Sequence, residues 1–567
     1  MTQTNTRTLT VRYAGGVARR GPVTMGQANM IRCILRDGAA NVSIHDVWPV
    51  PAGTTREQAL DALRQLVERH EALRTTFPGT VPREQVVAAE GEFPVAVLDH
   101  DEPGPDPTQY AESVARRARD HDFRLDQDFP LRLSLLTVGG APTHLALAAS
   151  HAATDGGALG ILREEWLTLL SGGELPAPTA LTPLGLAAEE ATPAGRRRSE
   201  ASLAYWERII RTAPQAMFAE PRAEAADGLA PQLTLRSRRG ALALARAADR
   251  TGGLPSTVLI TAWCTLVGHR AGQTTCVAAV PTSNRFQPRL ARSVNTLSQD
   301  ALLALDLRIP SFDALLRKAW GAALNAYRHS QFDALRLWEM IDRATVERGS
   351  HFARDVVFND VSALPATLGP KAPPGAPDPD LELSWGPVQA LPTKLLAFTF
   401  QTEPLLHIGM WADPALFDRD EAEGFLTGLV RLLEAVADAD VPLTGLTAVT
   451  GVRPTERGAG WRQVDGCWVS PPTVADALAT ALGGLPVHVT VDDPEGLTAF
   501  IASGGTPLTP HRAHTALMAA IPGRPGVLAP RRYVIVQDPP ADPGRADAWH
   551  RQQTLTEGTG RTPADVT

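Results

Sequence analysis

Apolar residues along the chain recur at two spacings, one typical of helices and one typical of buried strands. Between Thr55 and Arg69, the residues Ala59, Leu63 and Leu66 fall on one face at helical spacing, which predicts an amphipathic helix. The segment 143–149 is apolar almost throughout, which predicts a strand covered on both faces of a sheet. Similar patterns predict strands at 130–138, 275–280 and 354–358 and helices at 159–170, 255–268, 313–327 and 421–437. Helices and strands alternate, so we predict an α/β fold.

Three segments rich in proline or glycine interrupt this alternation. Residues 174–200 carry four prolines and include three consecutive arginines, which predicts a solvated connector. Residues 363–380 hold six prolines and therefore cannot form a central strand or a helix interior. Residues 450–460 are polar and glycine-rich. We predict an N-terminal lobe at 1–175, a linker at 176–200, a C-terminal lobe at 201–450 and a small α+β domain at 461–567.

Composition narrows the classes of function. The 567 residues suffice for three or four domain-sized units, and the net charge of -8 gives no global basic field, so we expect no nucleic-acid partner. The four cysteines show no metal-ligand spacing, so we expect reduced thiols and no metal site. We find no signal peptide and no apolar stretch of about 18 residues, which predicts a cytoplasmic protein without membrane contact.

Candidate chemistry lies directly after the strand predicted at 143–149. The chain leaves the sheet at Ser150 and His151, turns through small residues and starts a helix near Gly156. A histidine at a strand end beside glycines suits proton transfer, because its ordinary pKa of about 6.5 leaves neutral imidazole available near pH 7. On these residues alone, a histidine that makes only structural hydrogen bonds is the commoner alternative. Asp155 would orient the turn or pair with a buried arginine.

Further motifs surround this turn in a fixed order. They are PVTMGQ at 22–27, RHEALRTTF at 69–77, FRL at 123–125 with PLRL at 130–133, SHAATDG at 150–156, VPTSNR at 280–285 with VNTL at 294–297, and VFN at 357–359. Taken in order, they resemble the condensation domain of nonribosomal peptide synthetases, within the superfamily of chloramphenicol acetyltransferase-like acyltransferases. RHEALRTTF is the most specific motif, because it matches the family's second motif almost letter for letter.

The resemblance implies a fold and a set of site residues. The implied fold is two chloramphenicol acetyltransferase-like α/β sandwich lobes in a V, with the catalytic histidine in a tunnel between them. His151 takes the place of that histidine, and Gly156 keeps the turn open so that a backbone N–H faces the substrate. Asp155 takes the place of a carboxylate that pairs with an arginine to hold the shape of the site, and Arg285 is the expected partner. Asn359 matches an asparagine of the tunnel.

Two positions depart from the family pattern. Ser150 replaces the family's first histidine, which is generally structural, so activity is not excluded. After VNTL the family usually has an arginine, whereas this chain has Ser298, Gln299 and Asp300. This difference puts in doubt any contact with carrier or substrate that the family's arginine would make. Cyclising relatives carry a two-aspartate pattern and epimerising relatives a further glutamate–histidine motif, and we find neither here. Recruitment-only relatives lack the catalytic histidine, which this chain retains.

The resemblance therefore implies a stand-alone acyltransferase that forms an amide, or an ester, in the biosynthesis of nonribosomal peptides and antibiotics. The expected donor is an acyl thioester on the phosphopantetheine arm of an acyl or peptidyl carrier protein acting in trans. The expected acceptor is a small-molecule amine, a hydroxyl or a second carrier-bound group, and the chain itself is expected to bind no cofactor. His151 would act as a general base or would orient and stabilise the tetrahedral intermediate. The alternatives are a catalytically silent docking module and a coenzyme A-dependent acyltransferase.

The last hundred residues form a separate pattern of short elements. It predicts strands at 462–469, 487–491, 497–501 and 533–536 and helices at 474–482 and 511–520. Their order resembles the mobile C-terminal subdomain of adenylate-forming enzymes, with Arg545 at the position of its catalytic lysine. We find no large ATP-binding core before it. We therefore predict a vestigial or docking role, and a segment that is dispensable for chemistry.

Overall fold

The computed structural model describes residues 4–38, 42–100, 106–220, 228–363, 379–493, 496–522, 524 and 526–561. Helices and strands alternate along these residues, so the predicted α/β class is confirmed. The proline-rich segment predicted at 363–380 lies mostly outside the described residues.

The N-terminal lobe is the part of the chain that ends at Leu170. Its strands are β1 (Thr4–Tyr13), β2 (Arg19–Pro22), β3 (Ile44–Pro49), β4 (Thr75–Thr76), β5 (Glu84–Val87), β6 (Gly91–His100), β7 (Leu131–Val138) and β8 (Ala141–Ala149). Its helices are α1 (Met25–Asp37), α2 (Arg56–Arg69), α3 (Pro107–Arg119) and α4 (Gly156–Leu170), with a 3-10 turn at Glu71–Arg74.

The main sheet of the N-terminal lobe carries the candidate turn at the end of β8. Its strand order is β1-β6-β7-β8-β3, and β6 and β7 are the parallel pair among antiparallel neighbours. Leu145 and Leu147 of β8 pack with α2 and α4 on one face, and Ala146 packs with α3 on the other. The prediction of a strand covered on both faces is therefore confirmed. This burial fixes the position at which the chain leaves the sheet.

The C-terminal lobe follows, and its elements run from Pro183 to Thr450. Its strands are β9 (Leu229–Ser237), β10 (Thr275–Thr282), β11 (Gln299–Asp306), β12 (Val356–Asp360), β13 (Glu382–Ala390), β14 (Leu395–Gln401) and β15 (Leu406–Ala412). Its helices are α5 (Pro183–Glu190), α6 (Pro193–Thr212), α7 (Arg238–Thr251), α8 (Pro255–Ala271), α9 (Pro288–Ala291), α10 (Phe312–Arg328), α11 (Ala334–Arg348), α12 (Arg419–Asp438) and α13 (Leu446–Thr450), with a 3-10 turn at Leu443–Gly445.

The sheet of the C-terminal lobe has the strand order β11-β10-β12-β14-β15-β9-β13. Its core centres on Trp263 of α8, whose ring packs against Phe358 at 5.5 Å and Phe425 at 5.2 Å between centroids. β10 and β12 run parallel, with Ala279 opposite Val357. The carboxyl ends of both strands therefore lie at one edge of the sheet, which is the edge that Arg285 and Asn359 share.

The segment predicted at 176–200 as a solvated linker is mostly helical, so that description is wrong. Thr182 caps α5 and Thr192 caps α6 by accepting hydrogen bonds from N–H groups of their first turns. Pro183 and Pro193 occupy the first helical position, where a proline loses no hydrogen bond because the N–H there has no partner within the helix. The prolines therefore start helices here rather than prevent them.

The segment 283–298, which we call the crossover loop, connects β10 to β11 and packs against the N-terminal lobe. Val294 is buried in the core formed by β8, α2 and α4. Leu290 and Leu297 pack with Leu186 of α5 in a smaller cluster. The two lobes thus share hydrophobic contacts through this loop, and the loop also delivers Arg285 to the N-terminal lobe.

The tail comprises residues 461–561. It contains β16 (Arg462–Val464), β17 (Cys467–Val469), α14 (Pro471–Ala481), β18 (Val487–Asp493), β19 (Gly496–Ala502), α15 (Pro510–Ala520), β20 (Arg532–Val536), α16 (Ala546–His550) and β21 (Thr554–Gly558). The sheet order is β18-β19-β20-β21. The single strand predicted at 462–469 is wrong, because Asp465 (φ 50°) and Gly466 (φ 72°) form a tight turn that folds it into a hairpin.

The segment predicted at 450–460 as a polar separator is held firmly by the C-terminal lobe. The Thr455 hydroxyl lies within hydrogen-bond distance of the Glu220 carboxylate and the Arg270 carbonyl oxygen. Arg457 donates to the carbonyl oxygens of Ala219 and Ala271. Glu220 and Arg270 themselves form a buried ion pair. Thr455 and Arg457 therefore complete a buried polar cluster, and this segment is no free hinge.

Candidate functional site

The candidate turn is built by the end of β8 and the start of α4. Ser150 N–H donates to the Pro130 carbonyl oxygen (2.9 Å), and Ala153 N–H donates to the Ser150 carbonyl oxygen (3.0 Å), which closes the turn. Asp155 caps α4 by accepting from Ala158 N–H at 2.8 Å. This cap starts the helix at Gly156, as the turn of small residues predicted, because the aspartate satisfies a first-turn N–H. The apolar periodicity becomes visible only from residue 159.

Asp155 and Arg285 form a two-point ion pair that spans the two lobes. Arg285 Nη2 lies 2.7 Å from Asp155 Oδ1, and Arg285 Nη1 lies 2.9 Å from Asp155 Oδ2. The Arg285 side chain is 10% exposed and the Asp155 side chain is 3% exposed. Nη2 of Arg285 also donates to the carbonyl oxygens of Ser293 and Asn295. The pair therefore fixes the crossover loop to the beginning of α4.

The Asp155 carboxylate is held in its ionised form. Burial by itself would raise its pKa, but the charge and hydrogen bonds of Arg285, with N–H donors at Leu297 and Ala158, bring the pKa below its ordinary value. Oδ2 accepts from Leu297 N–H at 2.8 Å and from Ser298 N–H at 3.2 Å. With its oxygens already bonded to these donors, Asp155 serves as a structural anion rather than a proton carrier.

Glycines at the start of α4 make room for this arrangement. A Cβ placed on Gly157 would lie 2.8 Å from Arg285 Nη1 and 2.9 Å from its Cζ, so a side chain there would displace the guanidinium. Gly156 is the first residue of α4 and is half-buried. The first N–H groups of a helix have no acceptor within the helix. Gly156 therefore presents an N–H at the end of the helix where the macrodipole favours negative charge.

His151 stands in this turn, half-buried, and touches the opposite lobe. Its Nδ1 lies 3.4 Å from Oγ1 of Thr296 in the crossover loop. Desolvation lowers the pKa of His151 below its ordinary value, although Asp155 and backbone acceptors at His151 and Thr154 oppose that shift. The imidazole is therefore mostly neutral at pH 7.

Ser150 and Asn359, the remaining predicted residues, lie apart from the ion pair. Ser150 is buried, and among the described residues its Oγ has no hydrogen-bond partner. Asn359 is half-buried near the end of β12. Two residues before it, Val357 stands opposite Ala279 of β10, so Asn359 lies toward the sheet edge from which the crossover loop departs. Both residues thus border the region where the lobes meet, and no contact that the structure records joins either of them to the His151 ring.

Sequence reasoning gave no role to Thr296 or to the N–H groups of Leu297 and Ser298, although it noted their motif. The sequence does contain an indication of their role. VNTL lies about ten residues after Arg285, so a loop that places Arg285 against the N-terminal lobe also places VNTL near that lobe. Asp300, at the departure from the family's arginine, binds Nε of Arg354 at 2.6 Å. An arginine is thus present beside that position, although it comes from elsewhere in the chain.

The motif at 69–77 has a structural role beside the site. His70 Nε2 lies 2.6 Å from Glu165 Oε2 on α4, and Arg69 Nε lies 3.2 Å from the same oxygen. Arg292 of the crossover loop reaches the other carboxylate oxygen at 3.6 Å. These contacts brace α4 between two and three turns beyond the candidate turn.

No group of three or more His, Cys, Asp or Glu side chains in the described part of the chain is placed to hold a metal ion. Among the helices that the structure describes, none has the length and apolar character needed to cross a bilayer.

Comparison with known proteins defines the family. The condensation-domain family model matches residues 53–444, which is well over half of the chain and stops before the tail. This chain therefore belongs to the condensation-domain family. Phosphinothricin tripeptide synthetase PhsC of Streptomyces viridochromogenes is 29% identical over 311 residues, which make up 52% of this chain and 28% of PhsC. The chain thus spans less than a third of the length of this relative.

Solved structures of similar fold include a condensation domain and an X-domain. The first condensation domain of the calcium-dependent antibiotic synthetase, in complex with a substrate analogue, matches with a TM-score of 0.56 at 20% identity, over 75% of this chain and 98% of that one. The X-domain from teicoplanin biosynthesis matches with a TM-score of 0.58 at 19% identity, over 76% of this chain and 98% of that one. At these identities the likeness concerns the fold alone, and it confirms the chloramphenicol acetyltransferase-like architecture.

Proposed function

We propose that this chain is an acyltransferase that moves an acyl group from the phosphopantetheine thioester of a carrier protein to an amine, or to a hydroxyl. The acceptor nitrogen attacks the thioester carbonyl carbon, the carbon–sulfur bond breaks, and the amine's proton passes to the departing thiol. The products are an amide and a free pantetheine thiol on the carrier. Family membership supports this reaction class.

The observation that carries the proposal is the state of His151. With the pKa of His151 below its ordinary value, the imidazole is mostly neutral at pH 7, and we assign its proton to Nδ1, which lies 3.4 Å from Thr296 Oγ1. Nε2 therefore keeps a lone pair with which to accept the amine's proton, or to hold the amine in place while it attacks. The N–H of Gly156 lies five residues on, at the positive end of α4, where it suits an oxyanion.

The test is intact-mass spectrometry of an acyl-loaded carrier protein. The carrier is mixed with small amines and with the parent protein or His151→Ala, without ATP or added metal. The parent should release the acyl group as the amide and return the carrier to its unloaded mass, and His151→Ala should not. Equal transfer by both proteins would overturn the role given to His151.

The same assay separates a carrier-bound donor from coenzyme A. Acyl-coenzyme A replaces the loaded carrier in a parallel reaction. Turnover with acyl-coenzyme A and none with any carrier would make the protein a coenzyme A-dependent acyltransferase.

A second candidate function is a catalytically silent docking module. Ser150 favours it, because its buried hydroxyl lacks a described partner at a position where the family usually has a histidine. The X-domain of similar fold also occurs in a solved complex with OxyB. The intact ion pair and the neutral imidazole argue against a silent site. Carrier binding without transfer to any amine would favour docking, whereas transfer by the parent would exclude it.

A further inference from the structure

We infer that Thr296 is a positioning residue for His151. We infer also that the missing side chain of Gly26 lets the Thr296 backbone lie close enough to α1 for its hydroxyl to reach His151. The inference rests on the proposed function, because it assigns the residues that aim the imidazole. Thr296 belongs to the crossover loop and Gly26 to α1, so the histidine of one strand end is oriented by two distant segments.

Thr296 is suited to this role by its contact and its burial. The residue is fully buried, and its Oγ1 lies 3.4 Å from Nδ1 of His151. A hydrogen bond at Nδ1 restricts rotation of the ring about its bond to Cβ. It therefore fixes the direction in which Nε2, on the far side of the ring, points toward the acceptor.

The backbone on both sides of Thr296 is held by the ion pair. The carbonyl oxygen of Asn295 accepts a hydrogen bond from Arg285 Nη2 at 3.2 Å, and the N–H of Leu297 donates one to Asp155 Oδ2 at 2.8 Å. The threonine thus lies between two anchored peptide groups. Asp155 and Arg285 therefore act on His151 through Thr296, and this gives the pair a function beyond neutralising two buried charges.

Gly26 is where α1 meets this backbone. A Cβ on Gly26 would lie 2.3 Å from the Thr296 carbonyl oxygen and 3.2 Å from Cα of Leu297. These are main-chain atoms, which cannot rotate away. The glycine is needed here because the close approach leaves no room for a side chain.

The start of α1 is itself fixed, so the close approach is a built feature. Thr24 and Gln27 form a capping box, in which each side chain accepts from the other's backbone N–H. Met25 N–H donates to Oε2 of Glu190 on α5 at 2.8 Å. With this end of α1 held, any side chain at position 26 would push the crossover loop, and with it Thr296, away from His151.

The experiment compares Thr296→Val, which keeps the shape and loses the hydroxyl, with Thr296→Ser, which keeps the hydroxyl. Misplacement of a reacting group by about 1 Å costs up to about 100-fold in rate. We expect Thr296→Val to lower kcat about 10- to 100-fold at nearly unchanged KM, and Thr296→Ser to recover most of that loss. Gly26→Ala should lower kcat to a similar extent.

Gly321→Ala is the matched control for Gly26→Ala. Gly321 lies within helix α10, and a Cβ there meets no atom within 4 Å. Its kcat should equal that of the parent. A loss of kcat in Gly321→Ala as large as in Gly26→Ala would overturn the role given to Gly26.

A second readout does not depend on turnover. The protein contains 14 histidines, and ¹⁵N-labelled histidine with His151→Ala as the assignment control reports the tautomer and pKa of His151 alone. We expect the Nδ1 resonance and the pKa of His151 to move in Thr296→Val and to stay in Thr296→Ser. Unmoved resonances in both variants would overturn the inference. If the parent transfers no acyl group, the proposed function fails, and the spectra still decide whether Thr296 holds the ring.

Discussion

Two buried arginines join distant parts of this chain, and they differ in what they hold in place. Arg285 binds Asp155 across the two lobes, and Arg348 binds Asp465 between the C-terminal lobe and the tail. Each arginine directs further N–H groups to main-chain carbonyl oxygens, for Arg348 those of Ile210 and Ala213. In both places a cation replaces its hydration shell with fixed protein oxygens, which is what makes burial of an arginine tolerable.

The difference lies in the surroundings of the aspartate. Asp155 caps a helix, accepts from the backbone beside Thr296 and stands four residues after His151. Asp465 lies in the turn of the hairpin that the tail inserts against the C-terminal lobe. A buried ion pair therefore joins two parts of the chain. It indicates a functional site only where a side chain able to accept or donate a proton, such as His151, lies beside it.

The largest expected effect belongs to His151. A positioned base or orienting imidazole contributes about 10²- to 10⁴-fold in rate, so His151→Ala should lose that much turnover and keep the parent's circular dichroism and melting temperature. His144, which lies half-buried in β8 near Thr108 Oγ1 at 3.3 Å, is the matched control, and His144→Ala should keep its turnover. Equal losses in the two variants would mean that the assay reports folding and not chemistry.

Stability should distinguish the two aspartates. Asp155→Ala leaves Arg285 buried without its partner, which costs about 3–5 kcal/mol in the free energy of unfolding. Asp465→Ala should cost less, about 1–3 kcal/mol. The Asp465 side chain is 19% exposed, against 3% for Asp155, so water can enter the space that its removal leaves, and the Asp465 carbonyl oxygen still accepts from Arg348 Nη2. Urea unfolding of both variants measures this. Asp465→Ala should also keep its transfer activity, and a comparable loss of activity in both variants would break the distinction between the junctions.

Truncation tests how the tail is attached. Ending the chain after Gly460 keeps Thr455 and Arg457, so we expect a folded protein that still transfers the acyl group. Ending it after Val452 removes both residues from the buried Glu220–Arg270 cluster, which should cost about a further 1–3 kcal/mol. Urea unfolding and turnover of the two truncations are compared with those of the parent. Equal stability of the two would show that the segment 453–460 contributes nothing.

The smallest effect concerns pH. The pKa of His151 lies below its ordinary value of about 6.5, so the neutral form required for proton acceptance persists below that pH. The acid limb of kcat/KM should therefore fall below pH 6.5. Because the folded state favours the neutral ring, protonation of the unfolded chain should also reduce stability as pH decreases through about 6.5. An acid limb above pH 7 would contradict the burial of the imidazole.

Local chemistry allowed much of the site to be predicted from the sequence. The apolar run at 143–149 predicted a strand buried on both faces, and the motif that follows it identified His151, Asp155 and Gly156 as candidates. The partner Arg285, 130 residues away, came from the family resemblance and not from any local pattern. The catalytic use of His151, Asp155 and Gly156, and the roles of Ser150 and Asn359, stay predictions.

Elsewhere the same local rules misled. Pro183 and Pro193 suggested a connector, but both occupy the first turn of a helix, where proline is common. The apolar and polar pattern at 462–469 suggested one strand, although Asp465 and Gly466 adopt positive φ and reverse the chain. In both cases the sequence was compatible with two structures, and the neighbouring elements selected one.

Periodic burial, helix caps and the order of the family motifs depend on neighbours along the chain, so they follow from the sequence alone. Contacts between segments far apart in the chain arise only when the lobes pack. The approach of Gly26 to Thr296 and the contact of Thr296 with His151 depend on how two lobes and a crossover loop pack, and no local pattern encodes a distance between them. The aim of the imidazole is therefore a property of the packed molecule, because three separate segments fix it together.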